Sequence, residues 1–186
     1  EENGANLAGK EINAAGGIDG KKIEVITKDN KSETAEAATV ATSLASEGAN
    51  VVIGPATSGA SAASIPALTS AGVPMISPSG TQTNLVENDK GEVQEYFFRT
   101  TFTDGYQGEI MAKYATENFS AKKVVLYFDN SSDYGKGVAE AFKKAYTGEI
   151  VSEITFASGD KDFQAALTKL KDKEFDAIIM PGYYNE

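Results

Sequence analysis

Two loops rich in small hydroxyl residues carry most of the chemistry that can be read from this chain. The first, Gly54 to Ser61 (GPATSGAS), follows the apolar run Val51 to Ile53 and opens a helical pattern. Backbone N–H groups at a helix start and a Ser hydroxyl converge there, which suits an anion. Further on, Val73 to Thr81 (VPMISPSGT) repeats the design, with a short apolar strand running into a Ser/Pro/Gly/Thr loop. If the two strands are neighbours, both loops face one cleft. The first segment taken alone also reads as a well-capped turn.

Two near-motifs narrow the chemistry. Gly54 to Ser61 has the spacing of the phosphate-binding G-x-x-x-x-G-K-[ST] loop, but Ala60 stands where Lys must reach the β- and γ-phosphates, so nucleotide hydrolysis is excluded. Asp129, Ser131, Asp133 and Glu140 fall at positions 1, 3, 5 and 12 of a calcium-binding loop, yet Tyr134 replaces the required Gly and the segment joins a strand to a helix. Asp133 reads instead as the cap of that helix. Tyr134, Tyr183 and Tyr184 each follow a strand of the second half, hence one edge of its sheet. They suit either the closing of a cleft or half-buried strand ends.

The chain has no His and no Cys, which removes imidazole bases, thiol nucleophiles and zinc-finger ligands. The carboxylates show no spacing of a glycosidase pair or metal cluster. The reading is of a non-enzymatic protein with no cofactor and no metal. Seventeen basic against 27 acidic side chains, a net charge of -10, disfavour nucleic acid and anionic membrane. No apolar run reaches the length of a membrane span. Glu1 begins directly in a helical pattern and Glu186 follows directly on an apolar strand, which suggests a piece of a longer protein, truncated at both ends.

The elements that would position the loops read in order. Leu7, Ala8, Ile12 and Ala15 share one face of a helix over residues 4 to 15, and Lys22 to Lys28 alternates as a strand. Ala37, Val40, Ala41 and Leu44 stripe the next helix. Strands at Val51 to Ile53, Val73 to Ile76 and Tyr96 to Arg99 are separated by a helix at Ser61 to Ser70 and a polar surface excursion at Asn84 to Gln94. A helix follows at Gln107 to Asn118, with Ile110, Met111, Tyr114 and Ala115 buried. The pattern restarts with the strand Val124 to Phe128 and a helix through Val138, Phe142 and Ala145. Then come the strand Glu149 to Phe156, a helix capped by Asp160 with Phe163, Ala166, Leu167 and Leu170 inward, and the strand Ala177 to Met180. Continuous Val/Ile strands alternating with helices predict α/β architecture with parallel sheets covered on both faces. The boundary between two such units falls at about Thr101 to Asp104, giving a partial first lobe, 1–103, without its first strand, and a partial second lobe, 104–186.

NAAGGIDGKKIEV, VVIGPATSGAS, VPMISPSGT, the D-x-x-Q-G of Asp104 to Gly108, the D-Y-G-K-G of Asp133 to Gly137, GDKDF and PGYYNE stand in one order. Together they resemble the leucine/isoleucine/valine-binding proteins of ABC transporters, type I periplasmic solute-binding proteins, over essentially the whole chain. The resemblance implies two Rossmann-like lobes that close on an amino acid held in the cleft between them. It implies that Ala56, Thr57 and Ser58 hold the α-carboxylate and that the loop of Ser79 and Thr81 holds the α-ammonium. Tyr134 and Tyr183 would reach in from the second lobe. It implies an extracytoplasmic protein, free in the periplasm or lipid-anchored by a segment outside this chain, that delivers an aliphatic amino acid to a permease. A ligand-sensing regulator or receptor domain of the same fold is the alternative.

Overall fold

Runs of Val, Ile and Phe between helices form two separate parallel sheets of three strands each, in the orders β1-β2-β3 and β5-β4-β6. The computed structural model describes residues 1–88 and 90–186, so that Asp89, in the polar excursion after the second strand, lies outside the described residues. Contacts divide the chain into two compact units. One comprises Glu1–Gly80 and Leu85–Thr101, the other Thr81–Asn84 and Phe102–Glu186.

The first unit contains α1 (Glu2–Ala14), α2 (Thr34–Ser46), β1 (Val52–Ile53), α3 (Ser58–Ala71), β2 (Met75–Ser77) and β3 (Phe97–Arg99). Val52 lies opposite Met75, and Met75 opposite Phe97, so the three side chains form a row across one face of the sheet. Ala41 of α2 with Ile65 and Leu68 of α3 covers that row, where apolar burial supplies the driving force. On the other face Ile53 and Phe98 remain more than half exposed. Cover on both faces, expected for this sheet, is therefore found on one only.

Two further expectations for this unit are corrected. The alternating segment Lys22 to Lys28 makes no strand; a ladder needs a neighbour, and Ile23 instead pairs both its backbone groups with the Asn13 side chain, at 2.7 and 2.8 Å. The stripe Leu7, Ala8, Ile12 and Ala15, along α1 and its cap residue, faces outward, and the buried residue of the helix is Gly9, where an added Cβ would stand 3.1 Å from Val25 Cγ2.

The second unit contains α4 (Asp104–Glu117), β4 (Lys123–Asp129), α5 (Asp133–Ala145), β5 (Glu149–Phe156), α6 (Gln164–Leu170) and β6 (Ala177–Ile179). β4 is the central strand, and its side chains alternate between two cores. Val124, Leu126 and Phe128 pack with Ala112, Ala139 and Phe142 from α4 and α5. Val125 and Tyr127 pack with Ile154, Phe156 and Leu170 on the other face. Burial on both sides explains why VVLYF is apolar throughout.

α4 differs from expectation in the face it buries. Gly108 sits so close to α5 that a Cβ there would come within 2.6 Å of Phe142 N and 2.8 Å of the Val138 carbonyl. The small residues Gly108, Ala112 and Ala115 make the interface. Ile110 and Tyr114, expected inside, are turned outward and stand 42% and 53% exposed. α6 begins at Gln164 with Phe163 as its cap residue, not at Asp160, whose carboxylate accepts the Ala157 N–H at 2.8 Å and closes a turn. Leu167, expected inward, is exposed.

Candidate functional site

In a parallel sheet, strands that pair side by side release their following loops at the same edge. β1 and β2 do so, and the Gly54 N–H extends the ladder by donating to the Ile76 carbonyl at 2.9 Å. The loop after β1 leads into α3, which starts at Ser58 and not at Ser61. Thr57 is its cap residue, in extended conformation, but its hydroxyl accepts no cap hydrogen bond. Thr57 therefore does not supply the side-chain acceptor that a Ser, Thr or Asp cap usually offers to the first turn. Ser58 is buried, Thr57 half-buried and Ala56 exposed.

Beneath this edge the two loops are tied by the hydroxyls of two fully buried serines, Ser61 and Ser77. Ser77 Oγ donates to the Pro55 carbonyl at 2.8 Å and accepts the Gly80 N–H at 2.9 Å. Ser61 Oγ reaches the same Pro55 carbonyl at 3.2 Å. Ser79 Oγ donates to the Ala56 carbonyl at 2.8 Å, and the Glu1 carboxylate also stands within 3.0 Å of it. Gly80 rests directly on this network, since a Cβ there would lie 2.8 Å from Ser77 Oγ and 3.0 Å from Ser61 Oγ. Ala56, Thr57, Ser58 and Ser79 are therefore brought to one edge of the first unit. Thr81, buried, goes with the second unit, where its carbonyl accepts the Asp104 N–H at 2.8 Å.

In the second unit β4 pairs with β6, and the Asp129 N–H donating to the Pro181 carbonyl at 3.0 Å carries the pairing past the end of the strand. The loops after these two strands are consequently adjacent. After β4, Asp129 Oδ1 accepts from the N–H and the hydroxyl of Ser131, at 2.8 and 2.6 Å. Ser132, not Asp133, caps α5: its extended backbone aims Oγ at the Gly135 N–H, 3.0 Å away. Asp133 lies in the first turn and pairs with Lys136 at 3.0 Å.

Tyr134, one residue further, stacks on Tyr183 from the loop after β6, with ring centroids 5.4 Å apart and planes 19° apart. Gln107 Nε2, from the first turns of α4, donates to the Tyr134 hydroxyl at 2.9 Å. Tyr184 projects into solvent, 97% exposed. The roles of Ser61, Ser77 and Gln107 are not visible in the sequence, where a buried serine looks like a solvated one. The recurrence of Ser at the end of β2 and inside α3 is the only hint. Among the described residues no cluster of acidic side chains is placed to hold a metal, and no helix is long and apolar enough to cross a membrane.

Known proteins are similar to this chain over nearly its whole length. The Periplasmic binding protein family model matches residues 1–184. The Leu/Ile/Val-binding protein BraC3 of Rhizobium johnstonii is 34% identical over 188 residues, covering 100% of this chain and 50% of that protein. The leucine-specific-binding protein of Salmonella typhimurium is 31% identical over 189 residues, again covering 100% and 50%. Among solved structures, the branched-chain amino acid transporter substrate binding protein LivJ of Streptococcus pneumoniae, in complex with isoleucine, is 60% identical. It superposes with a TM-score of 0.93 over 98% of this chain and 51% of its own. The leucine binding protein LivK of Thermotoga maritima is 31% identical, with a TM-score of 0.84 over 93% and 49%. The chain spans about half the length of the curated relatives it matches. With both parallel-sheet units and both loop edges inside the matched region, the chain belongs to the periplasmic binding protein family.

Proposed function

We propose that this chain is part of an extracytoplasmic solute-binding protein that captures a small amino acid, branched-chain or otherwise aliphatic, and delivers it to the permease of an ABC transporter. The observation that carries the reading is the start of α3. There the start of the helix gathers backbone N–H groups, Thr57 makes no side-chain cap, and the buried Ser58 hydroxyl lies at the same turn. That is a donor set for a carboxylate, because a desolvated anion needs each oxygen paired. The likeness to LivJ, described as bound to isoleucine, supports an amino acid as the solute.

In this reading Ala56, Thr57 and Ser58 serve the carboxylate, and the loop of Ser79 and Thr81 serves the ammonium through a carbonyl and a hydroxyl. Residues 1–103 form the first lobe and 104–186 the second, apart from the short segments 81–84 and 102–103, which group with the second unit. Tyr134 and Tyr183 belong to the second lobe and make their contacts on closure, so that ligand biases an open-to-closed equilibrium. The protein works outside the cytoplasmic membrane, free or lipid-anchored. Calorimetry of the full-length protein against a panel of L-amino acids tests the proposal. Heat with leucine, isoleucine or valine is expected; no heat and no thermal shift with any amino acid would overturn it.

A further inference from the structure

Tyr134 can present its hydroxyl to a ligand as donor or as acceptor, and the structure contains a group that selects between them. Gln107 Nε2 donates to the Tyr134 oxygen at 2.9 Å in a half-buried setting. A phenol has one proton, and its oxygen accepts in the plane of the ring. With the Gln107 N–H on the acceptor side, the proton of Tyr134 is turned away from Gln107. The hydroxyl then offers a donor to whatever approaches the edge of the sheet.

Both residues are held where this bond requires them. Gln107 is fixed on α4 by its own N–H to the Thr103 carbonyl at 2.9 Å, and the adjacent Gly108 seats α4 directly on Val138, Ala141 and Phe142 of α5. Tyr134 lies in the first turn of α5, and its ring is clamped by stacking on Tyr183. The α4–α5 contact therefore sets the distance between the amide and the phenol.

We propose that Gln107 is a positioning residue that makes Tyr134 a hydrogen-bond donor, so that the second lobe meets the carboxylate or another acceptor of the solute and not its ammonium. This deepens the amino-acid-binding reading above and rests on it. The preference follows from polarity: a cation brings only donors, and a hydroxyl whose acceptor side is already filled has little to offer it.

The test uses the full-length protein with L-isoleucine as probe and the variants Gln107→Leu, Gln107→Glu, Tyr134→Phe and the double variant Gln107→Leu/Tyr134→Phe. Gln107→Leu and Tyr134→Phe are each expected to lose roughly tenfold in affinity, the double variant no more than the larger single loss. Ligand-free melting temperatures should stay close to that of the parent. Gln107→Glu, which replaces the donor by an acceptor of the same shape, should draw the Tyr134 proton to itself and lose at least as much. Parental affinity in Gln107→Leu, or losses that multiply in the double variant, would overturn the proposal.

A second readout needs no ligand. 3-Fluorotyrosine placed at position 134 should change its fluorine resonance when Gln107 becomes Leu. An unchanged resonance overturns the role of Gln107 whatever the solute proves to be. A parent protein that binds no L-amino acid overturns the ligand reading separately.

Discussion

The buried Ser77 hydroxyl donates to the Pro55 carbonyl over 2.8 Å, which locks the loop after β1 to the loop after β2. The same oxygen accepts the Gly80 N–H. Replacing Ser77 with Ala strands that N–H in a buried position and removes the stronger of two bonds to Pro55. The expected cost is about 1–3 kcal/mol, the usual penalty of an unsatisfied buried polar group. Urea unfolding of the full-length protein checks it, as a lowered midpoint with an unchanged slope.

Ser58 is 2% exposed at the first turn of α3. Ser58→Ala in the full-length protein should weaken amino-acid binding by about 1–3 kcal/mol, because a buried carboxylate oxygen would lose a partner. Titration calorimetry with L-isoleucine reads this directly. Unaltered affinity would remove Ser58 from the site.

Gly108→Ala places a methyl carbon within 2.6 Å of Phe142 N and 2.8 Å of the Val138 carbonyl. Backbone atoms cannot yield as a flexible side chain would, so α4 and α5 must separate. A loss of about 1–3 kcal/mol is expected from overpacking of this kind. The favourable helix propensity of Ala offsets only about 1 kcal/mol. Thermal unfolding is the measurement, and the variant should melt below the parent.

Asp176 Oδ2 accepts the N–H groups of Lys122 and Lys123 at 2.7 and 2.9 Å. The Lys123 backbone N–H first, then that of Lys122, holds its carboxyl below the ordinary value of 3.8. A carboxyl depressed in the folded state contributes stability that is complete above the unfolded value and lost as pH falls through the folded one. Stability should therefore decline as pH drops below about 3.8. Asp176→Asn should flatten that decline in urea midpoints measured across the same range. A decline as steep in Asp176→Asn as in the parent would show that Asp176 does not set it.

Tyr134 stacks on Tyr183 and belongs, in the reading proposed, to the lobe that closes on the solute. Tyr134→Ala should therefore raise the rate of ligand release more than it lowers the rate of capture. Stopped-flow displacement of bound L-isoleucine by a competitor measures the release. An unchanged release rate would count against a part for Tyr134 in closure.

Some of this architecture is legible in the residues and some is not, for definable reasons. β4 announces itself because burial on two faces forces VVLYF to be apolar throughout, and α2 because Ala37 and Ala41 repeat on one face. Tyr134 and Tyr183 could be assigned to one sheet edge since each follows a strand and the strands are parallel. Lys22 to Lys28 misleads because alternation records a strand's two faces, whereas a strand exists only if something pairs with it. α4 misleads because Gly108 reverses the usual rule: close approach at a glycine hides the small residues and turns out the large ones. Ser61 and Ser77 leave no trace beyond the recurrence of Ser, since a hydroxyl spent on a backbone carbonyl and one held out to a solute are written with the same letter.

Gly80 bears on how this loop can vary. With Ser77 Oγ, Ser61 Oγ and Leu85 all within 3.2 Å of where a side chain would begin, position 80 is closed to every residue larger than glycine unless the layer beneath it is rebuilt. In the amino-acid-binding reading proposed above, divergence of the loop toward other solutes would be channelled to the residues on either side, Ser79 and Thr81. A library randomised across 79 to 81 should return glycine at its centre and diversity at its flanks.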